Sequence, residues 1–369
     1  MKLRGMGSMK KDSKRIIIIV AILVVFVLVL GCVSIAEGLM IKHYKEKQKK
    51  STAIKVASEE YRDNCADGVS VHGRLRLEDG SLKDENGDVM WLRGMSSHGI
   101  MWYPQYTSFK SIRSTRDYGA NVFRIAMYTE NPDTGYNVNS ATNTGIMYSA
   151  IENVKANDMY AVVDWHVLED ANPLKYVENA KNFFGEISKH YGNDPAIIYE
   201  ICNEPNGETT WDDILNYANQ VIPVIRENAP DAVIIVGTPG YCYNFGLEVY
   251  RTPVPFDNIM YAFHFYAGLH DDRYEKVFEG AKKAGLAVCV SEWGIGSEDM
   301  QEGATKEALA LGRNFSDYLR ENKISFMAWS LSNKDEVYSA IKKDCHKLSA
   351  WKKEDLTDVG EVLFDSLKQ

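Results

Sequence analysis

A chain of 369 residues with 45% hydrophobic side chains has enough apolar content for one large folded domain plus an extra segment, which excludes a disordered chain. The formal charge of −9 is unevenly split: residues 1–50 carry 11 Lys and Arg against 3 Asp and Glu, which leaves 31 against 48, a net of −17, for residues 51–369. So acidic a main portion argues against a nucleic-acid partner, weighs against a polyanionic substrate and fits a neutral polymer better.

The first element is a basic segment at 1–15, with Lys10, Lys11, Lys14 and Arg15, followed by 21 uncharged residues at 16–36. A helix of that length spans a hydrocarbon core of about 30 Å at about 1.5 Å per residue. The basic flank favours a cytoplasmic N-terminus, although Lys42 to Lys50 is also basic and leaves charge bias ambiguous. Three devices fit the run. An uncleaved single-pass signal anchor is preferred, because the apolar region of a secretory signal is usually about 7–15 residues. Ser34-Ile35-Ala36 resembles a cleavage site for a secreted protein, and Cys32 offers a lipoprotein alternative, for which Leu30 fits poorly. Each device exports the rest of the chain and places it outside the cell membrane. Residues 37–68 read as a charged spacer.

Residues 69–369 read as the folded domain. Asp79-Gly80 and Glu85-Asn86-Gly87, within alternating apolar and polar residues, predict a small N-terminal β-hairpin that covers the bottom of this domain. Near-continuous apolar runs then recur at 90–96, 121–128, 160–166, 196–202, 232–237, 259–265, 286–291 and 325–331, as strands buried on both faces should. Amphipathic stretches separate them, among them 144–158, 172–191, 211–228, 272–285, 305–322 and 353–367, and Gly119, Gly192 and Gly285 stand where helices should stop. Eight βα units predict an α/β fold of the (β/α)8 TIM-barrel type, with a doubly wound sheet as runner-up. No C-x-x-C pair suggests a zinc ribbon. Cys202 and Cys289 read as small buried hydrophobes, and pairing of Cys65 with Cys345 is left open.

In such a barrel the chemistry gathers at the C-terminal ends of the strands. The polar residues fall there: His98, Arg124, Asp164, His166, Asn203, Glu204, His264, Tyr266, Glu292, Trp329 and Lys334. Taken singly, Arg124 is equally well a partner for a core acid and His166 a satisfied core histidine. Two carboxylates stand out, Glu204 in Asn203-Glu204-Pro205 and Glu292 in Glu292-Trp293-Gly294, each ending an apolar run. Such a pair suits hydrolysis of a glycosidic bond, where one carboxylate attacks the sugar and the other moves the proton. Spacing does not say which does which. A metal-dependent hydrolase using Asp164 and His166 lacks a second ligand cluster, and Gly94 to Gly99 is not G-x-S-x-G. No cofactor and no metal is expected.

The segments LRGMSSHG (92–99) with Trp102-Tyr103, VFRI (122–125), VDWH (163–166), EICNEPNG (200–207), YAFHFYA (261–267), SEWG (291–294) and AWSLSNK (328–334) occur in the order found in one family. Over roughly 70–369 the chain resembles glycoside hydrolase family 5 of clan A, near bacterial endo-β-1,4-glucanases (cellulases). The resemblance implies Glu204 as general acid/base and Glu292 as nucleophile of a retaining reaction. It implies Asn203 on the sugar 2-hydroxyl, Arg124 and Tyr266 on the nucleophile, and His98, His166 and His264 lining the cleavage subsite. It further implies Trp329 and Tyr103 as sugar platforms, Trp102 beside them in the binding cleft, and Lys334 on a sugar hydroxyl. The partner it implies is a β-glucan such as cellulose; the catalytic domain is expected to be monomeric and, through the N-terminal run, tethered at the membrane. Two departures stand out. Cys202 replaces a common alanine. At 238–244 the sequence TPGYCYN lacks the tryptophan usual in the nearest cellulases, so that Tyr241 or Tyr243 would supply the platform, and mannan or mixed-linkage glucan stay open as substrates. A non-catalytic sugar-binding surface protein is the alternative of a different class.

Overall fold

A computed structural model describes residues 67–296 and 303–368. The expected membrane run at 16–36, the basic segment before it and Cys65 lie outside the described residues, and among those described no helix is long and apolar enough to cross a membrane.

The predicted hairpin forms from β1 (Arg76–Glu78) and β2 (Ser81–Lys83), paired antiparallel. Its two-residue turn sets Asp79 at φ 53° and Gly80 at φ 70°, the left-handed pair that a tight hairpin needs. Leu75 and Leu82 from the hairpin region pack with Val122, Tyr160, Ile198, Met260 and Cys289, closing the N-terminal end of the barrel. Asp67, assigned by sequence to the spacer, is held by the same end: Arg93 and Asn121 donate to its carboxylate.

Eight parallel strands close the barrel: β3 (Arg93–Ser97), β4 (Val122–Tyr128), β5 (Tyr160–His166), β6 (Ile197–Glu200), β7 (Ile234–Val236), β8 (Ile259–Ala267), β9 (Ala287–Ile295) and β10 (Phe326–Leu331). A helix follows each in turn: α1 (Phe109–Asp117), α2 (Tyr136–Ala156), α3 (Val177–Tyr191), α4 (Trp211–Arg226), α5 (Leu247–Arg251), α6 (Tyr274–Ala284), α7 (Lys306–Glu321) and α8 (Asp358–Ser366). The doubly wound alternative is thereby excluded. In α3, Ala180, Phe183, Phe184 and Ile187 repeat at helical spacing and are fully buried, and Gly192 stops the helix at φ 58°. Thr210 and Asp213 close a capping box at the start of α4, a device worth about 1 kcal/mol.

Each strand alternates between two environments. Phe123, Ile125 and Met127 of β4, Ala161, Val163 and Trp165 of β5, and Ile197 and Tyr199 of β6 point out into the layer shared with the helices. Val122, Tyr160, Val162 and Ile198 point into the barrel. With a side-chain period of two, Arg124, Asp164, His166 and Glu200 also point inward, above that apolar plug.

The exception to simple alternation lies in β9. Ala262 pairs with Cys289 but His264 with Glu292, and on the other side Phe326 pairs with Val290 but Ala328 with Trp293. Both neighbours thus show one extra residue in β9, a β-bulge between Val290 and Glu292. Its effect is to reverse parity: Trp293 goes to the outer core and Glu292 turns into the barrel mouth. The strand also runs past the carboxylate to Ile295, beyond the predicted end at 291. By contrast β6 and β7 are shorter than predicted, because the chain leaves the sheet to build the loops that carry Asn203-Glu204 and Thr238 to Asn244.

Candidate active site

The inward residues converge on one guanidinium. Arg124 is fully buried, and its guanidinium makes four hydrogen bonds and a further ion pair. Nε donates to Glu200 Oε2 at 2.6 Å. Nη1 donates to Glu292 Oε2 at 2.9 Å and Ser96 Oγ at 3.3 Å. Nη2 faces Asn203 Oδ1 at 2.6 Å and Asp164 Oδ2 at 3.0 Å. Both sequence readings of Arg124 therefore hold at once: it pairs core acids and it holds a candidate catalytic carboxylate.

The second oxygen of Glu292 accepts from the Tyr266 hydroxyl at 2.6 Å. Glu204 has a different setting: its Oε1 lies 2.8 Å from His264 Nδ1, and His264 Nε2 lies 2.9 Å from Ser291 Oγ. Ligand-type atoms of Glu204, His264 and Glu292 all fall within 4.8 Å of one another, so the two carboxyl groups share one small space. This trio is the group with metal-like spacing among the described residues, but its atoms are already engaged with one another, with Arg124 and with Tyr266.

Asn203 is fixed from both sides. Its Oδ1 accepts from Arg124, and its Nδ2 donates to Val167 O at 3.1 Å and faces His166 Nε2 at 3.3 Å. His166 Nδ1 meets Asp164 Oδ2 at 2.6 Å, so the ring donates downward and accepts from Asn203. Close approach in this region depends on Gly237, where a Cβ would come within 2.2 Å of Cys202 O and 3.0 Å of Asn203 O. Cys242 closes the same turn, donating from Sγ to Asn203 O at 2.9 Å and accepting from Thr238 N at 3.2 Å.

Aromatic rings line one wall. Trp329 stacks on His166 with centroids 5.3 Å apart and lies 5.2 Å from His98, with 6% of its surface exposed. Tyr103 meets His98 edge-on at 5.1 Å, and Trp102 leans on Tyr128 at 4.7 Å while donating to Thr134. Lys334 reaches in to within 3.3 Å of His98 Nε2 and pairs with Glu336 at 2.5 Å. Of the two tyrosines proposed as a platform after β7, Tyr243 is already occupied: it stacks on His270 at 4.0 Å, lies under Arg273 and bonds Asp271. Tyr241 is half-exposed, with φ 62°, between Gly240 and Cys242 that are also left-handed. Cys202 is buried as expected, and among the described residues Cys345 has no disulfide partner.

Burial governs the electrostatics. It pushes the Glu204 carboxyl up to about 8, with Arg124 opposing and the charges of Asp164 and Glu200 reinforcing. It pushes Asp164 up to about 7 and Glu200 upward as well, both opposed by Arg124. It pulls His264 down to about 4 and His98 to about 3, so both rings are neutral near pH 7. Burial also works against the Arg124 cation, but Asp164, Glu200 and Glu292 together hold it well above its usual range.

The twelve residues to which the resemblance gives site roles thus meet at this one barrel mouth. Sequence reasoning gave no site role to Glu200, Ser291, Tyr128 or Glu336, and considered Asp164 only as a strand-end residue and a candidate metal ligand. For Glu200 a signal existed: a carboxylate inside the apolar run, four residues before Glu204. Ser291 and Glu336 carry no such mark.

Residues 83–335 match the model of the cellulase family, glycosyl hydrolase family 5. Endoglucanase A of Butyrivibrio fibrisolvens is 43% identical over 319 residues, covering 84% of this chain and 73% of that one. An endoglucanase of Clostridium saccharobutylicum is 37% identical over 301 residues, covering 81% of this chain and 66% of the relative. The catalytic domain of Thermobifida fusca endoglucanase Cel5A, solved in complex with cellotetraose, superposes with a TM-score of 0.75 at 32% identity, over 81% of this chain and 98% of that domain. The alkaline cellulase K catalytic domain gives a TM-score of 0.72 at 28% identity, over 82% of this chain and 95% of that domain.

Proposed function

Because this chain belongs to glycosyl hydrolase family 5 and is a glycoside hydrolase of the cellulase type, we propose that it is an endo-β-1,4-glucanase acting on internal bonds of cellulose or related β-glucans with retention of configuration. The observation that carries this reading is the pair Glu204 and Glu292: two carboxyl groups within 4.8 Å, held in opposite settings. Retaining enzymes need their carboxyl groups about 5 Å apart, too close for an intervening water. Glu292 accepts hydrogen bonds at both oxygens, from a cation and a hydroxyl, which leaves a carboxylate lone pair to attack the anomeric carbon. Glu204, protonated at neutral pH by its burial, donates to the leaving oxygen.

In the first step Glu292 forms a bond to the anomeric carbon as the glycosidic C–O bond breaks and the proton of Glu204 passes to the departing sugar. In the second, the Glu204 carboxylate takes a proton from water, water attacks the same carbon and Glu292 is released. His264, neutral and bonded to Ser291, accepts or donates at Nδ1 as Glu204 changes charge. Asn203, fixed by Arg124 and Val167, is placed to bond the sugar 2-hydroxyl, and the rings of Trp329, Tyr103 and Trp102 offer apolar faces to sugar C–H groups. The relative solved with cellotetraose supports a β-1,4-glucan over a mannan.

The test is viscosity loss and reducing-end release on carboxymethyl cellulose, mixed-linkage glucan and glucomannan, with the anomer of the first product followed by NMR. Rapid viscosity loss on the glucans with a β-anomer first is expected; loss confined to glucomannan would make the enzyme a mannanase, and an α-anomer would rule out retention. The pH profile gives a second expectation. Glu204 must start protonated and its carboxyl is raised to about 8, so kcat/KM on polymer should fall as pH rises through about 8. A decline already complete below pH 6 would contradict the assignment of Glu204.

The membrane tether stays part of this proposal, motivated by the 21 uncharged residues at 16–36 behind a basic flank. Full-length protein expressed in a bacterial host should sediment with membranes and resist carbonate extraction while its barrel is open to external protease. Recovery in the culture medium would point to cleavage instead.

A further inference from the structure

Beneath the catalytic pair lies a second pair of acids that the reaction as written does not use. Asp164 and Glu200 are register partners on the adjacent strands β5 and β6, so both project into the barrel on the same level. Both are fully buried. Each offers one oxygen to Arg124, at 3.0 Å and 2.6 Å, and each keeps the other oxygen, Asp164 Oδ1 and Glu200 Oε1, buried without a hydrogen-bond partner. An ionised carboxylate in that setting would leave a charged oxygen unsolvated, which strongly disfavours the ionised form.

Charge counting points the same way. Arg124 faces three carboxyl groups, Asp164, Glu200 and Glu292, and the histidines nearby, His166 and His264, are neutral. One cation against three anions in a dry cavity leaves an excess of two negative charges. A proton on one member of the lower pair reduces that excess to one and neutralises one of the unpartnered oxygens.

We propose that Asp164 and Glu200 act as one positioning unit: they share a single proton beneath Arg124, aim its guanidinium at Glu292 and Asn203, and keep one negative charge below Glu204. Nε and Nη2 are the two donors on the lower side of the guanidinium, and their partners set its plane. That plane leaves Nη1 for Glu292 and the second Nη2 hydrogen for Asn203. The retained charge also has a use above. Asp164 and Glu200 are among the groups that raise Glu204, so one anion there helps keep the general acid protonated. The inference rests on the reading of Glu204 as general acid, and its test separates the two.

Infrared difference spectra in H2O and D2O, recorded on chains carrying Glu204→Gln so that the general acid adds no band, report the proton directly. The parent should show one protonated carboxyl from the pair, and Glu200→Gln or Asp164→Asn should each abolish it, because the remaining acid then ionises. No band in the parent, or a band that survives either substitution, overturns the shared proton whatever the activity of the enzyme. Kinetics on otherwise wild-type chains read the consequence. Each single isosteric variant should lower kcat by about three- to tenfold, with KM and the alkaline limb of kcat/KM unmoved, since one anion remains. The double variant removes the last anion and should shift the alkaline limb down by about one pH unit, with a loss of kcat beyond the product of the singles. An unmoved limb in the double, or the full shift in one single, overturns the proposal. Wild-type turnover that survives Glu204→Gln defeats the general-acid reading but leaves the infrared result intact.

Discussion

Glu292→Gln is expected to abolish turnover, by about 10^4- to 10^6-fold in kcat, while binding of cello-oligosaccharides is largely retained. The amide is the same size as the carboxylate. Its oxygen can still accept from Arg124 Nη1, now 2.9 Å from the Glu292 carboxylate, and its NH2 can face the Tyr266 oxygen, now at 2.6 Å. The local frame therefore survives, and what disappears is the lone pair that forms the bond to the sugar. An amide does not form the covalent intermediate, so both halves of the reaction stop together. The measurement is single-turnover cleavage of cellotetraose alongside its dissociation constant by calorimetry. Turnover within tenfold of wild type would remove Glu292 as nucleophile. A loss of binding equal to the loss of rate would return it to a structural role beside Arg124.

Glu204→Ala is expected to lower kcat on polymer by about 10^2- to 10^4-fold, with a signature that depends on the leaving group. An unactivated sugar alkoxide leaves only with a proton, and that proton sits on a carboxyl held up to about 8 by burial. A dinitrophenyl cellobioside needs no such proton, so its first step should stay fast and the glycosyl-enzyme should accumulate, seen as a burst of phenol. Azide then replaces the water that Glu204 no longer activates, and added azide should raise the steady rate and yield a β-glycosyl azide. Removing the side chain also opens the small space now filled by Oε1 beside His264, which gives the anion room to enter. No burst, no rescue and an unchanged rate on polymer would each count against Glu204 as acid/base.

Much of this molecule was legible in the chain because of how a parallel barrel uses sequence. Strands buried on both faces must be apolar throughout, so each stands out as a run, and a polar residue that interrupts or ends a run declares itself. Arg124, His166, His264 and the two candidate glutamates, Glu204 and Glu292, were found that way. The helices were easier still where a spaced stripe such as Ala180, Phe183, Phe184 and Ile187 met a stop at Gly192. The short α1 and α5 left no comparable stripe, and the exits from β6 and β7 came earlier than the apolar runs suggested, because hydropathy marks burial and the loops beyond those strands are buried too.

By itself, then, the sequence determined the eightfold repeat, the plugged N-terminal end and the gathering of chemistry at the other end, since each follows from local periodicity and from the rule that strand ends carry function. Tertiary structure decided the rest, because it depends on register between strands that no single segment contains. The bulge between Val290 and Glu292 turns the nucleophile candidate inward and Trp293 outward; plain alternation from Cys289 would do the reverse. The five polar contacts of Arg124 link residues from β3, β4, β5, β9, the end of β6 and the loop after it, and Glu200 owes its place under that cation to its pairing with Asp164 across two strands. A side chain's type announces that it can titrate, but what it titrates against is fixed only when the barrel closes and brings distant charges into one dry space.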